Sequence, residues 1–242
     1  MKVERLDVGG FTTAAGIWRQ GEEEPERPVR YPIPAYLIET EEERVLVDTG
    51  LHPDAVADRE AHYGEGSLAL FQLDQEASVA ERVDLSTLTK VVLTHLHFDH
   101  VGGLALIPDS IPVVVQRSEW EAGRDPGAIE RNFFMTNDYW GIANEVVLVD
   151  GDHDLLGDGS IELLSTPGHT PGHQSVRAGD VVIGGDVAHY EGTFGDRRLP
   201  VFGEDLDAQA RSLERLRALR DEGLAVQPGH DPEAIRPGLV TP

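Results

Sequence analysis

Residues 91–103 read VVLTHLHFDHVGG, an apolar run that ends in three histidines and one aspartate within six positions. A run of that kind, bounded by turn residues, is the pattern of a buried strand. Burying several imidazoles and a carboxylate costs free energy unless something pairs with them. In an extended stretch, residues two apart point the same way, so His95 and His97 can share one metal ion. Asp99 and His100 lie past the strand end, where a turn can redirect them toward a second metal. The Gly102-Gly103 pair lets the backbone close under that turn.

Three more stretches follow the same grammar of strand, turn and ligand. LLSTPGHTPGH (163–173) places His169 after a strand and a Pro-Gly turn. VVIGGDVAH (181–189) places Asp186 after a strand and a Gly pair, and LAVQPGHD (224–231) places His230 after a last strand. Each is weak alone. Together they supply the hard and borderline donors of a two-metal site. His173, in the second PGH, is expected to be a structural or hydrogen-bonding residue. His52, His62 and His153 fall in polar loop contexts and are expected to be exposed.

Further strand patterns occur at Ala35–Glu39, Arg44–Gly50, Pro112–Gln116, Glu145–Val149 and Ile161–Thr166. Helical patterns cover Ser78–Val83, a short piece from Ser118, and Asp205–Arg220, with Leu206, Ala210, Leu213 and Leu216 on one face and Gly223 as a stop. Strands interleaved with helices indicate a layered α/β domain, read as one domain over 1–242. Residues 51–77 and 123–143 are longer than ordinary loops, a length typical of lids or pocket walls.

The 242 residues carry 44 Asp and Glu against 20 Lys and Arg, a net charge of −24. Nucleic-acid binding needs cations against phosphate, so that class is excluded as an expectation. The sequence has no cysteine, so a metal site must use His, Asp and Glu. No long apolar run suggests a membrane span, and no secretory signal is visible, so a cytoplasmic protein without membrane partners is expected.

The pattern His-x-His-x-Asp-His followed by a distant His, Asp and His resembles the metallo-β-lactamase superfamily, over about Tyr36 to Asp231. VLVDTG (45–50) resembles the family's early strand and turn, where Asp48 would support the site from behind the ligands. The resemblance implies an αββα sandwich with the metals at one edge. It implies that His95, His97 and His169 hold one divalent metal ion, that Asp99, His100 and His230 hold a second, and that Asp186 bridges both. Zinc is the metal it suggests.

Several branches of the family are disfavoured. The commonest β-lactamases use a Cys ligand and lack the histidine that His100 supplies here. Glyoxalase-type thioesterases add a C-terminal domain, whereas this chain runs only twelve residues past His230. Flavin-linked members carry Glu at the position of His97. RNA-processing members need a basic surface. AYLIETEEERVLVDTG, THLHFDHVGG, IPVVVQRSEWEAG and STPGHTPGHQS instead resemble the N-acyl homoserine lactone lactonases in order and spacing. That branch implies a small-molecule lactone substrate and admits a homodimer, although no heptad or interface stripe is present.

One position departs from that branch. It commonly has a tyrosine three residues after the bridging Asp, to bond the substrate; here that position is His189, and Tyr190 follows. Either residue could fill the role, with Asp99 as proton carrier. Candidate walls for an acyl groove are Phe133, Phe134, Met135, Tyr139, Trp140, Leu68, Leu70 and Phe71. The alternatives are another ester, phosphotriester or thioester hydrolase on the same site, and, less favoured, a metal-binding protein without turnover.

Overall fold

The apolar runs form strands whose two faces are both buried. In the computed structural model, which describes residues 1–240, the strands are Lys2–Ala14 (β1), Pro28–Glu39 (β2), Arg44–Val47 (β3), Gln72–Asp74 (β4), Lys90–Val92 (β5), Val113–Gln116 (β6), Val146–Val149 (β7), His153–Asp154 (β8), Ile161–Ser165 (β9), Gln174–Ala178 (β10), Val181–Ile183 (β11), Ala225–Gln227 (β12) and Gly238–Leu239 (β13). One sheet has the order β13-β1-β2-β3-β5-β6-β7, with β4 on β1; the other has the order β12-β11-β10-β9-β8.

Alternation along each strand sends neighbours to opposite faces. Val45 and Val47, with Val92 and Val114, meet Leu163, Val176, Val181 and Ile183 of the second sheet in one core. Leu46, Val91, Val113 and Val115 face the other way, against Val79, Leu93, Leu104 and Trp120. On the outer face of the second sheet, Leu164, Val182 and Val226 pack on Leu213 and Leu216 of the helix Leu206–Asp221. Helices therefore cover both outer faces. The result is the αββα sandwich expected from the sequence. Strands buried on both faces read as continuous apolar runs rather than alternating ones.

The expected strands and helices are present with ends shifted by a few residues. Ser78 becomes the N-cap of Val79–Arg82 through a capping box with Glu81. Asp205 caps Leu206–Asp221 by accepting the Ala208 N–H. Five strands, β1, β4, β8, β10 and β13, have no counterpart among those expected from the sequence. No helix among the described residues is long and apolar enough to cross a membrane.

Candidate metal centre

β3 and β5 pair in parallel, as do β11 and β12. The turns that leave their C-terminal ends gather the acidic and histidine side chains at one edge of the sandwich. β5 stops at Val92, so His95 and His97 sit beyond the strand rather than on it, and Phe98–Val101 forms one helical turn that carries Asp99 and His100. The turn packs closely on the end of β3. The N–H of Gly103 donates to the Gly50 carbonyl at 3.0 Å, and a Cβ on Gly103 would overlap the Thr49 carbonyl oxygen. Close approach of two backbones is what requires glycine there.

Two groups of donors result. His95, His97, His169 and Asp186 bring one donor atom each within 4.8 Å of one another, and so do Asp99, His100 and His230. In the first group His97 Nδ1 lies 3.0 Å from His95 Nε2 and 2.9 Å from His169 Nε2. In the second, His100 Nε2 lies 3.3 Å from His230 Nε2. Asp99 Oδ2 is 3.4 Å from His230 Nε2. Asp186 offers one oxygen to each group. Its Oδ2 is 3.4 Å from His169 Nε2, and its Oδ1 is 3.1 Å from His230 Nε2 and 3.4 Å from His100 Nε2.

The outward edges of the rings are held by other groups. His100 Nδ1 donates to Asp48 Oδ2 at 2.7 Å, His97 Nε2 to the Asn132 carbonyl at 2.8 Å, and His230 Nδ1 to the Pro32 carbonyl at 2.9 Å. Thr94 donates its N–H and its hydroxyl to the two oxygens of Asp48, at 2.7 and 2.8 Å. Its hydroxyl oxygen then faces His95 Nδ1 at 3.0 Å. These contacts fix which nitrogen turns inward in His95, His97, His100 and His230, whereas His169 Nδ1 has no hydrogen-bond partner among the described residues. His173 works one step further back. Its Nε2 accepts the backbone N–H of Asp186 at 3.0 Å, while Nδ1 meets the Thr166 hydroxyl at 3.0 Å.

Divalent cations fit this donor set. Asp99 Oδ2 and Asp186 Oδ1 are buried with no hydrogen-bond partner among the described residues. Burial pushes His95 and His169 well below the ordinary histidine range and lowers His97, which leaves their lone pairs free. Burial also works against charge on His100 and His230, yet Asp186 and Asp99 outweigh it and hold both rings above the ordinary range. Asp186 behaves reciprocally: burial pushes its carboxyl up, but His230 and His100 outweigh that and hold it well below the usual range. Buried carboxylates at this point demand positive charge, and bound cations meet the same demand.

His189 and Tyr190 separate clearly. The His189 ring is buried, with Nε2 at 3.2 Å from Asp186 Oδ2 and the ring stacked on His230 at 5.7 Å. The Tyr190 hydroxyl turns away to the Tyr31 hydroxyl, 2.6 Å distant. The Tyr190 ring packs, partly buried, against the first core.

The expected groove residues divide as well. Phe134 lies 5.6 Å from the His97 ring. Tyr139 is fully buried, with its hydroxyl donating to the Gly123 carbonyl, and belongs to the core. Leu70, Phe133 and Trp140 are exposed. Two aromatics not anticipated from the sequence cover the site: Trp18, 4.6 Å from His189 and 5.8 Å from His230, and Phe202, 5.9 Å from His169. Their neighbourhoods carry no motif that would have singled them out.

His52 and His62 were expected to be exposed but are half-buried and stacked at 4.3 Å. With Asp54 they form a third group of close donors. His52 Nδ1 already accepts the Asp54 N–H at 3.1 Å, and His62 Nε2 is bound to Asp138 Oδ1 at 3.1 Å, so that trio is a loop contact.

A sandwich of this kind, with two histidine–carboxylate groups at one edge and a shared aspartate between them, is the architecture of a metal-dependent hydrolase. The chain belongs to the metallo-β-lactamase superfamily, whose sequence pattern matches residues 29–230. It is 31% identical over 231 residues to N-acyl homoserine lactonase AiiA of Bacillus thuringiensis subsp. kurstaki, covering 90% of this chain and 88% of that protein. It is 29% identical to N-acyl homoserine lactonase AttM of Azorhizobium caulinodans, covering 84% of this chain and 83% of the other. The fold is similar to the solved structure of an N-acyl homoserine lactone hydrolase with the product N-hexanoyl-L-homoserine at its catalytic metal centre. That match has a TM-score of 0.81 and 26% identity, over 96% of this chain and 94% of the other.

Proposed function

We propose that this protein opens the lactone ring of N-acyl homoserine lactones by hydrolysis, using two divalent metal ions, with zinc as the metal. The observation that carries the reading is Asp186, whose two oxygens face two separate groups of histidines. The likeness to lactonases over nearly the whole chain selects the substrate from among those the site chemistry admits. His95, His97 and His169 would hold one ion, Asp99, His100 and His230 the other, and Asp186 both. Such ions supply Lewis-acid charge, lowering the pKa of water toward neutrality and polarising a carbonyl.

The chain's own residues do the rest. Asp186 sets the spacing of the two groups. Asp99, with one buried oxygen lacking a hydrogen-bond partner among the described residues, carries a proton toward the ring oxygen as the acyl C–O bond breaks. His189 is the hydrogen-bonding residue toward the substrate, in the place where the related lactonases commonly have tyrosine. Trp18, Phe134 and Phe202 wall the site and exclude water from the reacting carbonyl.

Ring opening releases a carboxylic acid, so proton release reports turnover. A panel of acyl homoserine lactones of varied chain length, run beside an aryl ester, a thioester and a phosphotriester, tests the substrate. Lactones should show the highest kcat/KM; a lead for any other class overturns the assignment. His97→Ala and Asp186→Asn should abolish turnover, and retained activity in either removes that residue from the site.

A further inference from the structure

Glu119 lies in VVVQRSEWEAG (113–123), a stretch that supplies no metal ligand. It sits in the short helix Arg117–Ala122, at the end of β6, and is fully buried, with 0% of its surface exposed. Its carboxylate reaches in two directions. Oε1 accepts the backbone N–H of Leu96 at 3.0 Å. Oε2 accepts the Thr170 hydroxyl at 2.8 Å and the Gly172 N–H at 2.8 Å. Leu96 is the residue between His95 and His97, and Thr170 directly follows His169. One side chain thus ties the ligand turn of the first sheet to the ligand loop of the second.

The fit leaves little freedom. A Cβ on Gly172 would overlap the Glu119 backbone nitrogen, so the loop that carries His169 lies directly on the helix that carries Glu119. Three donors on two oxygens suit an ionised carboxylate, which accepts and does not donate. A buried carboxylate costs free energy unless it is fully hydrogen-bonded, so the three contacts and the carboxylate stabilise one another. Asn132 adds a related contact on the same side, accepting from His97. The second group relies on another carboxylate, Asp48, which holds His100 and Thr94.

We infer that Glu119 is the positioning residue of the first metal group: its carboxylate holds His95, His97 and His169 in register across the two sheets. This rests on the reading of those three side chains as metal ligands. It makes Glu119 the counterpart of Asp48, which bonds His100 of the second group directly and reaches His95 only through the Thr94 hydroxyl. Glu119 touches no donor atom of the site and acts only through the backbone between and beside the ligands.

The test is cobalt(II) binding to metal-free full-length protein, followed by absorbance and by competition with a chelator. Glu119→Gln has one acceptor oxygen, and its amide would face donors on the other side, so one arm of the clamp opens. In a His230→Ala background, where only the first group is complete, Glu119→Gln should weaken cobalt binding ten- to hundredfold, the usual range for such outer contacts, and alter the d–d spectrum. In a His97→Ala background, where only the second group is complete, the same change should shift affinity less than about twofold. Unchanged binding in the first background overturns the inference. Equal weakening in both also overturns it, because that is a general loosening of the fold. Should Glu119→Gln fail to fold, Thr170→Val removes a single contact; a smaller loss confined to the first group supports the clamp, and no loss defeats it. No substrate enters the measurement, so a failed lactone panel and a failed clamp are separate results.

Discussion

At the scale of single residues, His173 shows how a neutral ring can fix the backbone of a charged residue. It accepts the Asp186 N–H and is completely buried, and burial pushes its pKa from the ordinary 6.5 to about 3. The folded protein therefore resists a proton that the unfolded chain accepts. The stability tied to this ring is complete above pH ~6.5 and is lost as pH falls from there toward 3, on the order of a few kcal/mol. Denaturant melts from pH 7.5 to 4.5 should show the loss. His173→Gln, which keeps an acceptor but does not titrate, should shrink the acid sensitivity without removing it, since His95 and His169 are depressed too. His173→Phe strands the Asp186 N–H and should cost ~1–3 kcal/mol at neutral pH; an equal pH profile in the Gln variant would contradict this account. The neighbouring pair offers a kinetic contrast. His189→Phe should lower kcat/KM for lactone, while Tyr190→Phe should leave it unchanged and cost only ~0.5–1.5 kcal/mol of stability through the lost Tyr31 contact. The reverse pattern would return the substrate role to Tyr190. All seven candidate ligands were legible in the sequence, because the segments that carry them follow strand and turn patterns. So was a hydrogen-bonding role for His173, which the Asp186 N–H contact bears out; the choice between His189 and Tyr190 was not. PGH occurs twice between Pro167 and His173; the family resemblance separated the two rings, and the folded turn shows which backbone N–H the second one faces.

At the scale of elements, the two long connections turn out to be joined. Residues 51–77 contain the short helices Pro53–Ala57 and Arg59–Tyr63, and residues 123–143 contain Pro126–Asn132. Asp138, from the second stretch, is buried against the first. It accepts from the Tyr63 hydroxyl at 2.9 Å and pairs with His62 at 3.1 Å, while the Asn137 side chain donates to the His62 carbonyl at 2.6 Å. The Asp138 hydrogen bond raises the His62 pKa, and burial raises that of Asp138. Both groups hold protons more tightly folded than unfolded. The His62 contribution to stability is present at acid pH and is lost as pH rises through the folded His62 pKa, while that of Asp138 is lost as pH rises through its own raised pKa. Hydrogen exchange, corrected for its intrinsic pH dependence, should show residues 58–64 and 136–140 opening more readily at pH 9 than at pH 6. Faster opening on the acid side would contradict the latch. Tyr63→Phe should cost ~1–3 kcal/mol, since it removes a donor from a buried carboxylate. These helices escaped the sequence reading because five to seven residues are too few to show a 3.6-residue period. Their N-terminal caps are His52, Asp58 and Asp125, positions that the sequence reading did not single out.

At the scale of the molecule, the edge that gathers the ligands is also where the two sheets are joined. His95, His97, Asp99 and His100 leave the first sheet, whereas His169, Asp186 and His230 leave the second. Each donor group draws on both. The layers themselves were legible, because runs such as VLV, VVV and VVI are apolar on both faces. The longest strand was not. In β1 the pairing register with β2 shifts between Asp7 and Gly10, and that bulge at Val8-Gly9, together with the charges of Lys2, Glu4, Arg5 and Asp7, erases the two-residue alternation. Ligands shared between layers have a consequence for stability. A metal ion that binds only the folded protein stabilises it by mass action, ~2.7 kcal/mol at a free concentration one hundred times the Kd. For a chain of this size that is roughly 5–10 °C of Tm for each occupied group. Removing the ions leaves buried carboxylates with only protonated histidines for company, and the sheets keep only protein contacts such as those of Glu119 at that edge. Dialysis against a chelator should therefore lower Tm by that amount per ion, and re-addition of zinc should restore it. In His97→Ala the loss on chelation should be smaller, because the first group is already broken. An unchanged Tm in protein verified to be metal-free would show that the packed cores alone hold the two sheets together, and that the ligands are gathered without help from the ions.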